Sequence, residues 1–143
     1  MIDQQLEKKE SSSYFHLSLI VSISLFFLDQ LTKYLTFVYL PPLFSYPYSY
    51  PYGGIGVFKN FFGIEFSLNH LSNSGAAWGL LGEYQIPLLL FRILLIMALL
   101  YYFFKLSRLS LLQLPLALII SGAVGNVCDY FLYGHVIDMF HFV

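Results

Sequence analysis

The sequence predicts a membrane-embedded helical bundle with a small β-sheet on its outer side, and three observations carry that expectation. Of its 143 residues, 58% are hydrophobic and only 10% charged, against about 25% charged in a typical soluble domain. Three apolar stretches, 14–40, 86–104 and 109–127, each approach or exceed the roughly 20 residues that cross a hydrocarbon core. Between the first two, Phe62, Ile64, Phe66 and Leu68 alternate with Gly63, Glu65, Ser67 and Asn69, the period-2 signature of a half-buried strand. Aromatic residues, 20% of the chain, suit the layer where protein meets lipid headgroups.

In chain order, residues 1–13 form a cytoplasmic N-terminus carrying Lys8 and Lys9, and 14–40 the first span. Charge followed by an apolar run is also the order of a secretory signal, but the run continues past Leu28 and no small-x-small cleavage site follows. An uncleaved helix is the expectation. The loop 41–85 is too long for a mere connector. Its first part, from Pro41 to Gly54, is biased toward Tyr and Pro and should be extended or irregular; its second part holds the alternating strand. Residues 86–104 form the second span, 105–108 a cytoplasmic turn with Lys105 and Arg108, 109–127 the third span, and 128–143 an outer segment. Lys and Arg collect at the N-terminus and the 105–108 turn, whereas the long loop holds only Lys59, and this asymmetry sets the orientation. No repeat or second domain interrupts 1–143.

Composition excludes several function classes. A net charge of −1 offers no basic surface for phosphates, so nucleic acid is not expected as a partner. One cysteine closes no internal disulfide and builds no thiolate cluster. His135, Asp138 and His141 are metal-ligand types, but on a helix the two histidines would point about 240° apart. No metal and no other cofactor is expected.

The chemistry-bearing residues are few. Beyond residue 84 the only carboxylates are Asp129 and Asp138, both where the third span meets outer water. Ionisable groups at such depth are costly and are kept for function or pairing; two close carboxylates would share a proton and supply one acid and one base. The bland alternative for Asp129 is a helix-end group satisfied by backbone N–H. Asp29 and Lys33 stand four apart with the acid first, the favourable order for an ion pair; alternatively Lys33 snorkels toward headgroups or a catalytic carboxylate. Arg92 reads as interfacial. Gly122 and Gly125, with Ser121 and Ala123, read as small residues admitting a neighbouring helix, and Cys128 as a packing residue.

Four blocks in order, Asp29-Gln30-Leu31-Thr32-Lys33, Asn73-Ser74-Gly75-Ala76-Ala77-Trp78-Gly79, Gly122-Ala123-Val124-Gly125-Asn126-Val127-Cys128-Asp129 and Gly134-His135-Val136-Ile137-Asp138, resemble the lipoprotein signal peptidase family (signal peptidase II) from about residue 20 onward. The resemblance implies an aspartic endopeptidase of the bacterial plasma membrane, with four membrane helices and a small antiparallel β-cradle. It would work without cofactor, as a monomer among membrane lipids, on prolipoproteins, cutting just before the diacylglyceryl-modified cysteine. It assigns Asp138 as one of two catalytic aspartates, Asn73 and Asn126 as polar groups lining the substrate site, Asp129 as a further acid beside it, and Asp29 and Lys33 to the first-helix motif. Asp129 and Asp138 are therefore not the family's catalytic pair. Tyr130 stands where the family usually has Arg. The family's second aspartate lies in a Phe-Asn-x-Ala-Asp block after Asp138, ahead of a fourth helix, whereas the sequence ends at Val143. On that comparison residues 1–143 are expected to be truncated and inactive by themselves, and a non-catalytic membrane protein that binds lipidated peptides is the alternative. A metal-dependent hydrolase using His135 and His141 would instead be silenced by a chelator.

Overall fold

The computed structural model describes residues 2–45, 49–75, 80–106 and 110–143, with side chains at 2–13, 44, 106, 110 and 111 outside the description. The expectations for Arg108, for the side chains of Lys8 and Lys9, and for the Ala76 to Gly79 half of the second block fall outside it too. The chain divides into a helical unit, 1–29 with 86–128, and a second unit, 30–85 with 129–143, called the outer unit after the side on which the sequence expects it.

Three helices organise the first unit: α1 (Ile2–Tyr39), α2 (Gln85–Tyr101), which continues as a π-helical stretch Tyr102–Leu106, and α3 (Ser110–Tyr133). All are long and apolar enough to cross a membrane, over Tyr14–Tyr39, Gly82–Lys105 and Leu112–Tyr133. Phe103, Ala117 and Ile120 are buried with Phe15, Leu19 and Leu99 against them, and the Phe15 and Phe103 rings stack at 5.4 Å. Most other large apolar side chains, including Ile20, Phe27, Phe91, Leu94 and Ile119, are exposed. In water this would be a liability, whereas in lipid it is the surface a spanning helix must present. The hydroxyl of Ser121 donates to the Ser22 carbonyl at 2.8 Å, tying α3 to α1 with the kind of interhelical hydrogen bond used where no hydrophobic drive separates helix from lipid. Ser121 therefore makes the close contact expected of the small-residue run, whereas a Cβ added at Gly122 would meet only open space.

α3 continues six residues past its expected end at 127, so Asp129 is helical. Gly134 stops the helix: its φ of 78° is left-handed, and its N–H donates to the Tyr130 carbonyl at 2.9 Å, the single-bond C-terminal cap that glycine permits.

The outer unit holds a three-stranded antiparallel sheet, β1 (Ile55–Phe61), β2 (Ile64–Asn73) and β3 (Val136–Phe142), in the order β1-β2-β3. Phe62 and Gly63 form the β1–β2 turn with φ of 52° and 85°, the doubly positive conformation that matches strand twist. Phe62 is thus a turn residue, and the alternating strand begins at Ile64.

One irregularity in β2 decides which side chains share a face. Leu68 pairs with Phe140 but Leu71 with Asp138, so three steps on β2 match two on β3. This is a β-bulge at Asn69 and His70, which re-aims everything beyond it. Even-numbered Ile64, Phe66 and Leu68 therefore share a face with odd-numbered Leu71 and Asn73, and with Val136, Asp138, Phe140 and Phe142 of β3. The opposite face carries Glu65, Ser67, Asn69 and His141. Segment 49–54 covers it: the Asn69 amide donates to the carbonyls of Pro51 and Tyr52 at 3.0 and 3.2 Å, and the Tyr52 hydroxyl donates to Glu65 at 2.7 Å. Ser67 and Asn69 are buried in consequence.

Candidate active site

Asp138 stands on β3 opposite Leu71 and is half-buried. The Asn73 amide nitrogen, two residues along β2, donates to Asp138 Oδ2 at 2.8 Å. The other end of that amide is fixed as well, because Asn73 Oδ1 accepts the Gly75 N–H at 3.0 Å. The Asn73 nitrogen is left to face the carboxylate, and the amide has only one sensible orientation.

A second set of contacts surrounds Asp129, on the last turns of α3. Its Oδ2 lies 2.7 Å from Lys33 Nζ, and its Oδ1 accepts from Gln30 Nε2 at 3.0 Å. Gln30 and Lys33, three apart on α1, present one helical face. Asp129 Oδ2 also accepts the Ile137 N–H at 3.4 Å. Asp129 is 0% exposed and Lys33 4%, so the lysine does not snorkel outward; its ammonium is drawn inward by the buried carboxylate. The helix-end reading of Asp129 survives in part, through Ile137.

Asp129 and Asp138 thus have partners of their own and are joined through the backbone at Ile137, whose amide the first carboxylate holds and whose successor is the second. Breaking the buried pair would leave an uncompensated charge, the costly case for ionic groups out of water.

Histidines complete the outer unit. His70, buried, places Nδ1 3.2 Å from the Leu40 carbonyl, and its ring meets Phe37 at 5.4 Å. Burial, and then the nearby His70, hold His135 below the ordinary histidine range. His141 meets the Tyr52 ring edge-on at 4.9 Å, and Tyr52 is pushed above the usual tyrosine range chiefly by its hydrogen bond to Glu65. Among the described residues no group of three or more His, Cys, Asp or Glu could hold a metal. His141 and Asp138 lie on a strand, so the helical spacing of about 240° does not apply to them. Three positions apart there, their side chains leave opposite faces.

Asn126 is exposed on α3 and Asp29 half-buried on α1, both in the helical unit. Sequence reasoning missed two participants. Gln30 lies inside the Asp29 to Lys33 block, one helical turn before Lys33, and could have been found from that spacing. The strand β3 was signalled by its β-branched and aromatic run from Val136 to Phe142.

Comparison with known proteins gives the family. The family described as Signal peptidase (SPase) II matches residues 21–143. The lipoprotein signal peptidase of Caldanaerobacter subterraneus subsp. tengcongensis is 34% identical over 126 residues, covering 88% of this chain and 78% of that protein. That of Chlamydia felis is 39% identical over 127 residues, covering 85% and 72%. A bacterial membrane enzyme solved in meso at 2.3 Å superposes with a TM-score of 0.74 at 25% identity, over 88% of this chain and 70% of its own. With a match running from the middle of α1 to Val143, the chain belongs to the signal peptidase II family of membrane proteases.

Proposed function

We propose that Asp138 is a catalytic carboxylate of this protease, acting at the outer face of a bacterial plasma membrane to release signal peptides from prolipoproteins just before the diacylglyceryl-modified cysteine. The observation that carries the assignment is the Asn73–Asp138 hydrogen bond, 2.8 Å long, on a half-buried carboxylate. Asn73 engages Oδ2, and Oδ1 is the oxygen offered to water. An ionised Asp138 takes the proton of that water as it attacks the scissile carbonyl. The complementary acid, which protonates the leaving nitrogen, belongs by family resemblance to the block that follows Asp138, since one carboxylate cannot hold both roles at once.

Lys33, Gln30 and Asp129 position the strand through Ile137. Asn126 and Asp29 keep the substrate-side places their motifs suggest, and the N-terminus and the 105–108 turn face the cytoplasm. Protein produced from its whole reading frame should cleave a diacylglyceryl-cysteine peptide, and Asp138→Asn should reduce cleavage to background. Turnover retained in that variant removes Asp138 from the mechanism.

A further inference from the structure

The sheet is built inside out for a protein surrounded by water. Its polar face, with Glu65, Ser67, Asn69 and His141, is the one that segment 49–54 covers. Its other face is closed at the Val136 end but rich in phenylalanine and open toward the hairpin tip. Phe66 stacks on Phe142 at 4.4 Å and lies 5.9 Å from Phe140 and 5.5 Å from Phe58. Phe58 continues to Phe61, and Phe61 to Phe62 at the hairpin tip. Phe58 and Phe66 are half-buried, whereas the outer rings of the cluster are uncovered: Phe62 is 91% exposed, Phe140 65% and Phe142 61%. Burying polar groups while presenting contiguous aromatics inverts the arrangement that water selects. Apolar-out with polar-in is the pattern of strands whose outer face meets lipid.

Two features of the same unit identify the occupant. Its helical parts are the ends of two membrane helices, 30–39 of α1 and 129–133 of α3, and the α1 end is itself open and apolar at Leu31, Tyr34, Leu35, Phe37 and Val38. β3 starts two residues after Gly134, so the sheet is tethered where a spanning helix stops. We propose that this phenylalanine face is a membrane-docking surface, lying in the boundary between headgroups and acyl chains of the bilayer that the helices cross. Asp138 shares the face, and docking holds its carboxylate at that depth. The placement rests on the sheet and its tether, and stands whether or not Asp138 is the base.

The sequence has one tryptophan, Trp78, so a Trp78→Phe background gives a single reporter at each chosen position. The full chain is reconstituted into phosphatidylglycerol–phosphatidylethanolamine vesicles with Phe62→Trp, Phe140→Trp or, as a water-facing control, Ser49→Trp. The expected result is blue-shifted emission at 62 and 140, quenching by lipids brominated high on the acyl chain, and several-fold weaker iodide quenching than at 49. Iodide quenching equal to the control overturns the proposal. So does shielding that depends on protein-to-lipid ratio without bromine quenching, which marks a second copy, or shielding that appears only on adding a lipidated peptide. Adding a Phe61→Ser, Phe62→Ser double change to the Phe140→Trp reporter should weaken its bromine quenching with circular dichroism unchanged; undiminished quenching there would remove the hairpin tip from the contact.

Discussion

Asp129 and Lys33 test the account at the level of single residues. Both are buried and 2.7 Å apart, so Lys33→Met strands a carboxylate without its counter-charge and should cost about 3–5 kcal/mol of stability, whereas replacing both partners by apolar residues should recover much of that. Thermal unfolding in detergent checks it; equal losses in the single and double variants would show that the pair is not coupled. His135 adds a pH dependence. Its proton affinity is lowered in the folded protein, so below about pH 6.5 the unfolded chain takes up a proton that the folded one resists. That stability is present above the ordinary histidine range and is lost as pH falls toward the folded value. The unfolding midpoint should therefore drop on acidification from about pH 7.5 to about pH 5, and His135→Gln should flatten that drop. At this scale the sequence was only half legible. The Asp29 and Lys33 spacing announced an ion pair but could not reveal a partner in the outer unit far along the chain, because helical periodicity reports only neighbours on the same helix.

Among elements, the bulge in β2 matters most. Strict alternation from Ile64 would send Asn73 to the face opposite Phe66; the extra residue at Asn69 and His70 returns it to Asp138's side. Asn73→Ala removes a hydrogen bond to a carboxylate, worth about 1.5–3 kcal/mol, and cleavage should fall about ten- to a hundredfold if the bond persists through the transition state. Deleting His70, which straightens the strand, should cause at least as large a loss while Asn73 itself remains. Activity near that of the parent would show that the phase of β2 does not govern the site. The alternating run was readable because a half-covered strand must separate apolar from polar. The bulge was not, since nothing in the residue types at 69 and 70 marks an unpaired step. β3 was legible only in its residue types: its run from Val136 to Phe142 needs β2 as a partner, and no local turn connects the two.

For the molecule as a whole, low charge, three long apolar runs and an alternating loop segment carried the fold class: among the described residues, three helices able to span a membrane and a small antiparallel sheet are what they predicted. Orientation is the matching experiment. In intact spheroplasts of a Cys128→Ser protein, a cysteine placed at Ser49 should react with a membrane-impermeant maleimide, and one placed at Ser11 should react only after lysis. The reverse pattern would put Asp138 on the cytoplasmic side and end the proposed reaction.

The glycine that closes α3 also acts as a ruler. Asp138 is four positions on from Gly134, and an extended chain advances at most about 3.6 Å per residue, so its Cα stands no more than about 14 Å from the place where the helix ends. If Asp138 is the base, a peptide bond is selected first by its height above the hydrocarbon and only afterwards by its side chains. Lengthening that tether by a residue or two would move the cutting plane before it altered any contact with the substrate.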